Sequence, residues 1–132
     1  MIKYHVCFTS NKDILIADDN DITITLYQNI LKRKFNLQSI RSNTIEKTIN
    51  LMKSNIFNYC IIDIHFTTKK DTYIILDYIN VFREWEKQFR NTRQKIILTS
   101  TDYDVSNLES IDGYIDKSNM FNLEQYNNIG IY

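Results

Sequence analysis

Short segments rich in apolar residues alternate with amphipathic segments along most of the chain. Several of the short segments are apolar at nearly every position, which is typical of strands buried on both faces. The predicted strands are residues 14–17, 37–41, 59–64, 95–99 and 113–116. Between them, apolar residues recur three or four positions apart, which is the spacing of one helix face. The predicted helices are residues 22–35, 44–54, 72–90, 105–110 and 121–129.

The order of these elements predicts a topology. Strands that alternate with helices form a parallel sheet with helices on both faces, joined by right-handed crossovers. We therefore predict an α/β fold: a doubly wound five-stranded parallel sheet of the flavodoxin-like (βα)5 type, with strand order 2-1-3-4-5. The 132 residues are the length of one domain. We assign residues 13–132 to it and residues 1–12 to an N-terminal arm or an extra edge strand.

Composition argues against several classes of function. The formal net charge is zero, so no positive field favours nucleic acid, and no apolar run approaches the ~20 residues of a membrane span. The N-terminal segment lacks the apolar core of a signal peptide, so we expect a cytoplasmic protein in which Cys7 and Cys60 are reduced core thiols. Their spacing with His5 and His65 matches no zinc motif. With 2 Gly and no Pro, the turns depend on residues such as Asn, which tolerates left-handed geometry.

Polar residues stand where the predicted strands end. In an open parallel sheet, ligands bind beyond the carboxyl ends of the strands, near the switch point between the first and third strands. Asp18 and Asp19 follow the first predicted strand, and Asp63 lies at the end of the third. Thr99 ends the fourth strand, and Lys117 follows the fifth. We therefore expect these five side chains at one edge of the sheet.

This set of side chains suits phosphoryl transfer. Three neighbouring carboxylates repel one another, and a hard divalent cation such as Mg²⁺, which prefers oxygen ligands and water, relieves the repulsion. The cation can also bind an incoming phosphoryl oxygen, while Lys117 adds positive charge and Thr99 a hydroxyl donor. Each residue alone is more often a turn, a helix cap or a solvated charge. Their order, each at the end of its own strand, indicates a site.

The same segments resemble the receiver domain of response regulators in two-component signalling. ILIADDN is similar to the family's first strand with its acidic pair, and CIIDI to the strand that carries the phosphoacceptor. IILTS resembles the strand that ends in the switch Thr or Ser, and GYIDK the strand that ends in Lys. The resemblance covers about residues 13–129. The long helix that ends in Trp85-Glu86-Lys87 is similar to that of receivers attached to hybrid sensor kinases.

The resemblance implies a metal site and a phosphoacceptor. Asp19 would bind Mg²⁺ directly and Asp18 partly through water. Asp63 would bind the metal and take the phosphoryl group. The backbone carbonyl of His65 would be the remaining protein ligand of the metal.

The resemblance also implies a switch and a partner. Thr99 and Lys117 would hold phosphoryl oxygens. Tyr114 falls at the switch aromatic position, and its ring would move inward when Thr99 engages the phosphate. The phosphoryl donor would be a histidine kinase or a histidine phosphotransfer protein. The domain would catalyse only its own phosphorylation and dephosphorylation, so we do not expect an enzyme that turns over other substrates, nor contact with nucleic acid or membrane.

Three departures from the family pattern keep an alternative open. Thr67 and Asp71 stand where a Pro and a Gly are expected after the phosphoacceptor, and Ser118 stands where a Pro is expected after the Lys. They favour a degenerate receiver that acts as a phosphorylation-independent protein-interaction module. A haloacid-type phosphohydrolase would need a second Asp where His65 stands, and a nucleotide-binding flavodoxin-like protein would need a phosphate loop that this glycine-poor chain lacks.

The helix predicted over residues 72–90 carries an aromatic stripe. Its members are spaced three and four apart, which predicts the core face of the helix, and they are Ile75, Tyr78, Phe82, Trp85 and Phe89. The far end of this helix extends beyond a typical receiver. Trp85 and Phe89 therefore form a candidate contact for a homodimer or another domain.

Overall fold

Seven strands, all paired in parallel, form two sheets in the computed structural model, which describes residues 9–10, 13–66, 74–101 and 108–132. The strands are β1 (Thr9–Ser10), β2 (Ile14–Ala17), β3 (Ser39–Ser42), β4 (Asn55–Ile56), β5 (Tyr59–Asp63), β6 (Ile96–Ser100) and β7 (Gly113–Asp116). The main sheet has five strands in the order β3-β2-β5-β6-β7. Numbered along the chain, these strands are in the order 2-1-3-4-5, so the predicted fold class and strand order are confirmed.

Helices follow most of the strands of the main sheet. They are α1 (Asp21–Phe35), α2 (Ile45–Ser54), α3 (Ile74–Phe89) and α4 (Glu124–Asn128), with a 3₁₀ helix at Lys117–Asn119. Asn20 begins α1 by accepting two backbone N–H groups of the first turn, and Thr44 caps α2 by accepting the backbone N–H of Lys47. Asn36 ends α1 with a left-handed φ of 55°, as expected for a chain with so little glycine. Within the described ranges, no helix is both long and apolar enough to cross a membrane.

The two faces of the main sheet carry separate apolar clusters. Leu15 and Ile62 point to one face, where they pack with residues of α2 and α3. Ile16 and Ile61 point to the other face, where they pack with residues of α1 and α4. All four side chains are at most 1% exposed. This alternation also decides which strand-end residues share a face.

The buried face of α3 differs from the predicted aromatic stripe. Ile75 and Phe82 are fully buried, but Tyr78 is 36% exposed, so the prediction was wrong at that position. Trp85 and Phe89 are half-buried. The Trp85 ring lies 5.5 Å from the Phe89 ring and 4.9 Å from the Arg90 guanidinium, which covers part of the expected apolar patch.

Charged residues complete the buried face of α3. Arg83 donates to Glu86 at 2.8 Å and to Asp112, which precedes β7, at 3.0 Å. Glu86 accepts the backbone N–H of Gln94 at 2.6 Å. The Gln94 side chain in turn bonds both backbone groups of Phe57. Paired in this way, Arg83 and Glu86 are tolerated in the interior, where they belong to the buried face of α3 together with Ile75, Ile79 and Phe82.

Other predictions differ at element ends or fall outside the described residues. The last helix begins at Glu124 instead of residue 121, because the Asn122 side chain accepts the Glu124 backbone N–H in a turn. Cys60 is a buried free thiol whose pKa burial raises. Most of the helix predicted over residues 105–110 lies outside the described residues, as do Cys7, His5, Thr67 and Asp71. The described part of the N-terminal segment is β1, which pairs with β4 in a separate two-stranded sheet.

Candidate functional site

Asp18, Asp63 and Thr99 meet on one face of the sheet at its carboxyl edge. Ile61 and Ile97 are paired in register and belong to the apolar cluster on the α1 side of the sheet. Two positions later on the same strands, Asp63 and Thr99 are also paired in register. A step of two residues returns a strand to the same face. Asp18 is 1% exposed, Asp63 3% and Thr99 1%. The apolar cluster therefore ends in a polar layer made by the predicted site residues.

Lys117 reaches back across this layer and pairs with both buried carboxylates. Its Nζ lies 2.9 Å from Oδ2 of Asp18 and 3.3 Å from Oδ2 of Asp63. Burial alone would lower the pKa of Lys117, but the hydrogen bond to Asp18 and the charges of both carboxylates raise it. Lys117 is therefore a positive charge held beside both carboxylates.

A side-chain cap holds the turn that presents Lys117. Oδ1 of Asp116 accepts the backbone N–H of Ser118 at 3.0 Å and its hydroxyl at 2.6 Å. These contacts lower the pKa of Asp116. Asp116 and Ser118 thus order the segment that follows β7 without a proline.

The remaining oxygens of the two buried carboxylates accept local backbone N–H groups. Oδ1 of Asp18 accepts Asn20 at 2.9 Å, and Oδ1 of Asp63 accepts His65 at 3.2 Å. Burial first, and then the charge of Asp63, raise the pKa of Asp18 from 3.8 to about 6. Two neighbouring buried carboxylates are therefore only partly compensated by a single lysine.

The acidic cluster fits a divalent cation. Carboxylate oxygens of Asp18, Asp19 and Asp63 lie within 4.8 Å of one another, with Asp19 exposed and the other two buried. Hard oxygen ligands and an open side for water suit Mg²⁺. The raised pKa of Asp18 is consistent with this fit, because a cation would relieve the repulsion that raises it.

Tyr114 approaches the same edge from the other face of the sheet. Its half-buried ring packs against the cluster on the α2 and α3 side, and its hydroxyl donates to the backbone carbonyl of Ser100 at 3.0 Å. Ser100 directly follows Thr99. Thr99 and the hydroxyl of Tyr114, which reaches over from β7, thus lie at the end of β6, with their side chains on opposite faces of the sheet.

An open cleft of about 390 Å³ gives access to the cluster. Besides the acidic residues and Lys117, it is lined by Asn20, His65 and Thr101. Neither Asn20 nor Thr101 was predicted as a site residue, although each directly follows a predicted site segment. Tyr27 was not predicted either. Its buried hydroxyl lies next to Thr99, but its position in α1 has only the spacing of a core residue.

Comparison with known proteins gives matches in structure only. No protein-family model matches the sequence. No curated protein matches it either. Many solved structures match the fold, and those set out below are response-regulator or histidine-kinase receiver domains.

Two receiver domains of histidine kinases cover nearly the whole chain. The first, from Arabidopsis thaliana and complexed with Mg²⁺ and BeF₃⁻, is 21% identical with a TM-score of 0.65, over 89% of each chain. The second, from Pseudomonas aeruginosa with a magnesium ion in its active-site cleft, is 17% identical with a TM-score of 0.65, over 92% of this chain and 99% of that one.

A third match is a receiver domain from Saccharomyces cerevisiae in a co-crystal with a histidine phosphotransfer protein. It is 14% identical with a TM-score of 0.57, over 80% of this chain and 78% of that one. The chain described here therefore has the fold of the receiver domains of two-component signalling, including those of histidine kinases.

Proposed function

We propose that this protein is a phosphoacceptor receiver of a two-component phosphorelay, in which Asp63 takes a phosphoryl group from a phosphohistidine donor. The observation that carries the proposal is the position of Lys117, whose Nζ pairs with Asp18 at 2.9 Å and with Asp63 at 3.3 Å at the open edge of the sheet. Positive charge fixed in advance beside a nucleophilic carboxylate stabilises the oxygens of an incoming phosphoryl group.

Asp63 supplies the nucleophile. One of its carboxylate oxygens attacks phosphorus, so that an O–P bond forms while the N–P bond of the phosphohistidine breaks. The electron pair of the broken bond stays on the imidazole nitrogen. The His65 backbone N–H at 3.2 Å and Lys117 at 3.3 Å hold the two oxygens of Asp63 in a fixed orientation for this reaction.

The acidic cluster would hold Mg²⁺. Asp18, Asp19 and Asp63 supply carboxylate oxygens, and the backbone carbonyl of His65 is the further protein ligand. When bound, the ion offsets negative charge on the phosphoryl oxygens. The domain acts on its own Asp63 only, as a cytoplasmic signalling protein and not as an enzyme with other substrates.

Phosphorylation would be read out at the end of β6. Thr99 donates its hydroxyl to a phosphoryl oxygen, and the surface around Tyr114 rearranges in response. The hydrogen bond from Tyr114 to the Ser100 carbonyl supports this coupling, because Ser100 adjoins Thr99 in the same strand.

The donor, a histidine kinase or a histidine phosphotransfer protein, would dock beside the cleft on α1. Asn20 lines the cleft, and Ile22, two residues later, is 73% exposed. Phe121 is 66% exposed and lines a groove with Leu26 of α1. We call Ile22, Leu26 and Phe121 the α1 surface. Exposed apolar side chains that adjoin a reactive cleft are typical of a protein-docking site.

Beryllofluoride and acetyl phosphate test the proposal. With Mg²⁺, we expect beryllofluoride to shift backbone NMR resonances around the cleft, and acetyl phosphate to add one phosphoryl group by intact mass. Asp63→Asn should abolish both effects while the protein remains folded. A folded wild-type protein without either adduct would instead support the phosphorylation-independent interaction module, and an adduct that survives in Asp63→Asn would overturn the site.

A further inference from the structure

Tyr27 combines deep burial with an unpaired polar group. It lies on the face of α1 that packs against the sheet and is 1% exposed. Its hydroxyl has no hydrogen-bond partner among the residues that the structure describes. Leaving a buried hydroxyl unpaired is unfavourable, and such groups are uncommon in folded proteins. A phenylalanine would fill the same space without this cost.

The Tyr27 hydroxyl is aimed at the polar layer of the site. It lies next to the Thr99 side chain, and the Tyr126 hydroxyl and the carboxylates of Asp18 and Asp63 are close enough to influence its pKa. Burial above all, and then Tyr126, raise that pKa, so the hydroxyl stays protonated and remains a donor. No hydrogen bond of ordinary geometry joins it to Thr99. In this structure the two groups are adjacent but not engaged.

We propose that Tyr27 is a positioning residue for the phosphorylated state: its hydroxyl donates to the Thr99 oxygen while Thr99 donates to a phosphoryl oxygen. A threonine hydroxyl has one hydrogen and two acceptor lone pairs, so it can make both bonds at once. The Tyr27 donor is unpaired before phosphorylation and paired after it. An interaction made in only one of two states shifts the equilibrium toward that state.

This inference rests on the proposed function, because it needs a phosphoryl oxygen near Asp63. The test measures beryllofluoride affinity with saturating Mg²⁺ by NMR titration. We expect Tyr27→Phe to weaken binding about fivefold, which corresponds to one ordinary hydrogen bond. The same factor should appear in a Thr99→Ser background, which keeps the hydroxyl, and should vanish in Thr99→Ala.

Stability separates this role from a purely structural one. Without ligand, Tyr27→Phe should unfold in urea at the same or a higher concentration than the wild type, since it removes an unpaired hydroxyl. Tyr126→Phe is the matched control. Its hydroxyl donates to the Met120 carbonyl at 2.7 Å, so this variant should be less stable and bind beryllofluoride with unchanged affinity.

Three results would overturn the inference. Equal affinity of the wild type and Tyr27→Phe would show that the hydroxyl makes no bond in the bound state. A fivefold loss that persists in Thr99→Ala would show that Tyr27 does not act through Thr99. A folded wild-type protein that binds no beryllofluoride would overturn the proposed function itself, and this inference with it.

Discussion

At the scale of single residues, the negative charge of Asp18 has opposite effects on the stability of the fold and on cation binding. Its carboxylate is 1% exposed and lies beside Asp63. Burial and the charge of Asp63 raise its pKa from 3.8 to about 6, although Lys117 partly compensates. An ionised Asp18 therefore lowers the stability of the cation-free fold at neutral pH. The same negative charge favours a bound divalent cation.

The pKa of Asp18 predicts how stability depends on pH. The folded state binds the Asp18 proton more tightly than the unfolded state, so this group lowers the free energy of unfolding as the pH rises from about 4 through about 6. The loss is at most about 3 kcal/mol. Urea unfolding at pH 5 and pH 7 without divalent cations measures the part of this loss that falls between those two values, about 1 kcal/mol. Asp18→Asn should remove this part of the pH dependence, and Mg²⁺ should restore wild-type stability at pH 7. Identical pH profiles of the two proteins would contradict the prediction.

The strand-end residues could be predicted because strand geometry fixes their direction. Asp63 and Thr99 each follow a buried isoleucine by two positions, so they share its face of the sheet. Contacts between side chains that are far apart in the sequence leave no comparable pattern in the neighbouring residues. The bond from Lys117 to Asp18 joins residues 99 positions apart, and the spacing of Tyr27 in α1 does not distinguish a core ring from a hydroxyl aimed at the site.

At the scale of elements, α3 depends on charged residues that its apolar pattern does not reveal. The side chains of Arg83 and Glu86 are only 6% and 7% exposed, and they pair with each other at 2.8 Å. Arg83 also bonds the carbonyls of Ser110 at 2.9 Å and Gln94 at 2.7 Å, outside the helix. The aromatic spacing predicted the helix and two of its buried residues, Ile75 and Phe82. It could not predict the contacts of Arg83 with Ser110 and Gln94, because these partners lie in segments that only the folded chain brings next to the helix.

Removing the charge of Arg83 is therefore expected to destabilise the fold. Arg83→Met keeps much of the side-chain volume but leaves Glu86 buried without its cation, which costs about 3 kcal/mol or more. Lys87→Met is the matched control on the same helix, because its pair with Glu84 is 72% exposed on both sides and contributes less than about 1 kcal/mol. Chemical denaturation measures both. Equal effects of the two substitutions would show that the Arg83 network does not stabilise α3.

At the scale of the whole molecule, helix α1 links the site to Ile22 and Leu26 of the α1 surface. The same helix begins at the cleft with Asn20, exposes Ile22 to solvent and buries Tyr27 against the sheet. The cluster on this face of the sheet ends in the polar layer of the site. A donor that docks on α1 therefore lies close to Asp63 without crossing the sheet. Helix α3 packs on the opposite face of the sheet, and Val81, on the outer side of this helix, is 66% exposed.

This arrangement predicts that two similarly exposed apolar residues, Ile22 and Val81, differ in their effect on phosphotransfer. Ile22→Lys should slow transfer from a phosphorylated histidine phosphotransfer protein about tenfold, because it places a charge in the docking contact. A tenfold change corresponds to a loss of about 1.4 kcal/mol of binding free energy. Val81→Lys makes the same kind of change on the other face and should leave the rate unchanged. Both variants should react with acetyl phosphate at the wild-type rate, since a small donor needs no docking surface. If both substitutions slow transfer equally, the docking surface lies elsewhere. If Ile22→Lys also reacts more slowly with acetyl phosphate, the substitution disturbs the site itself.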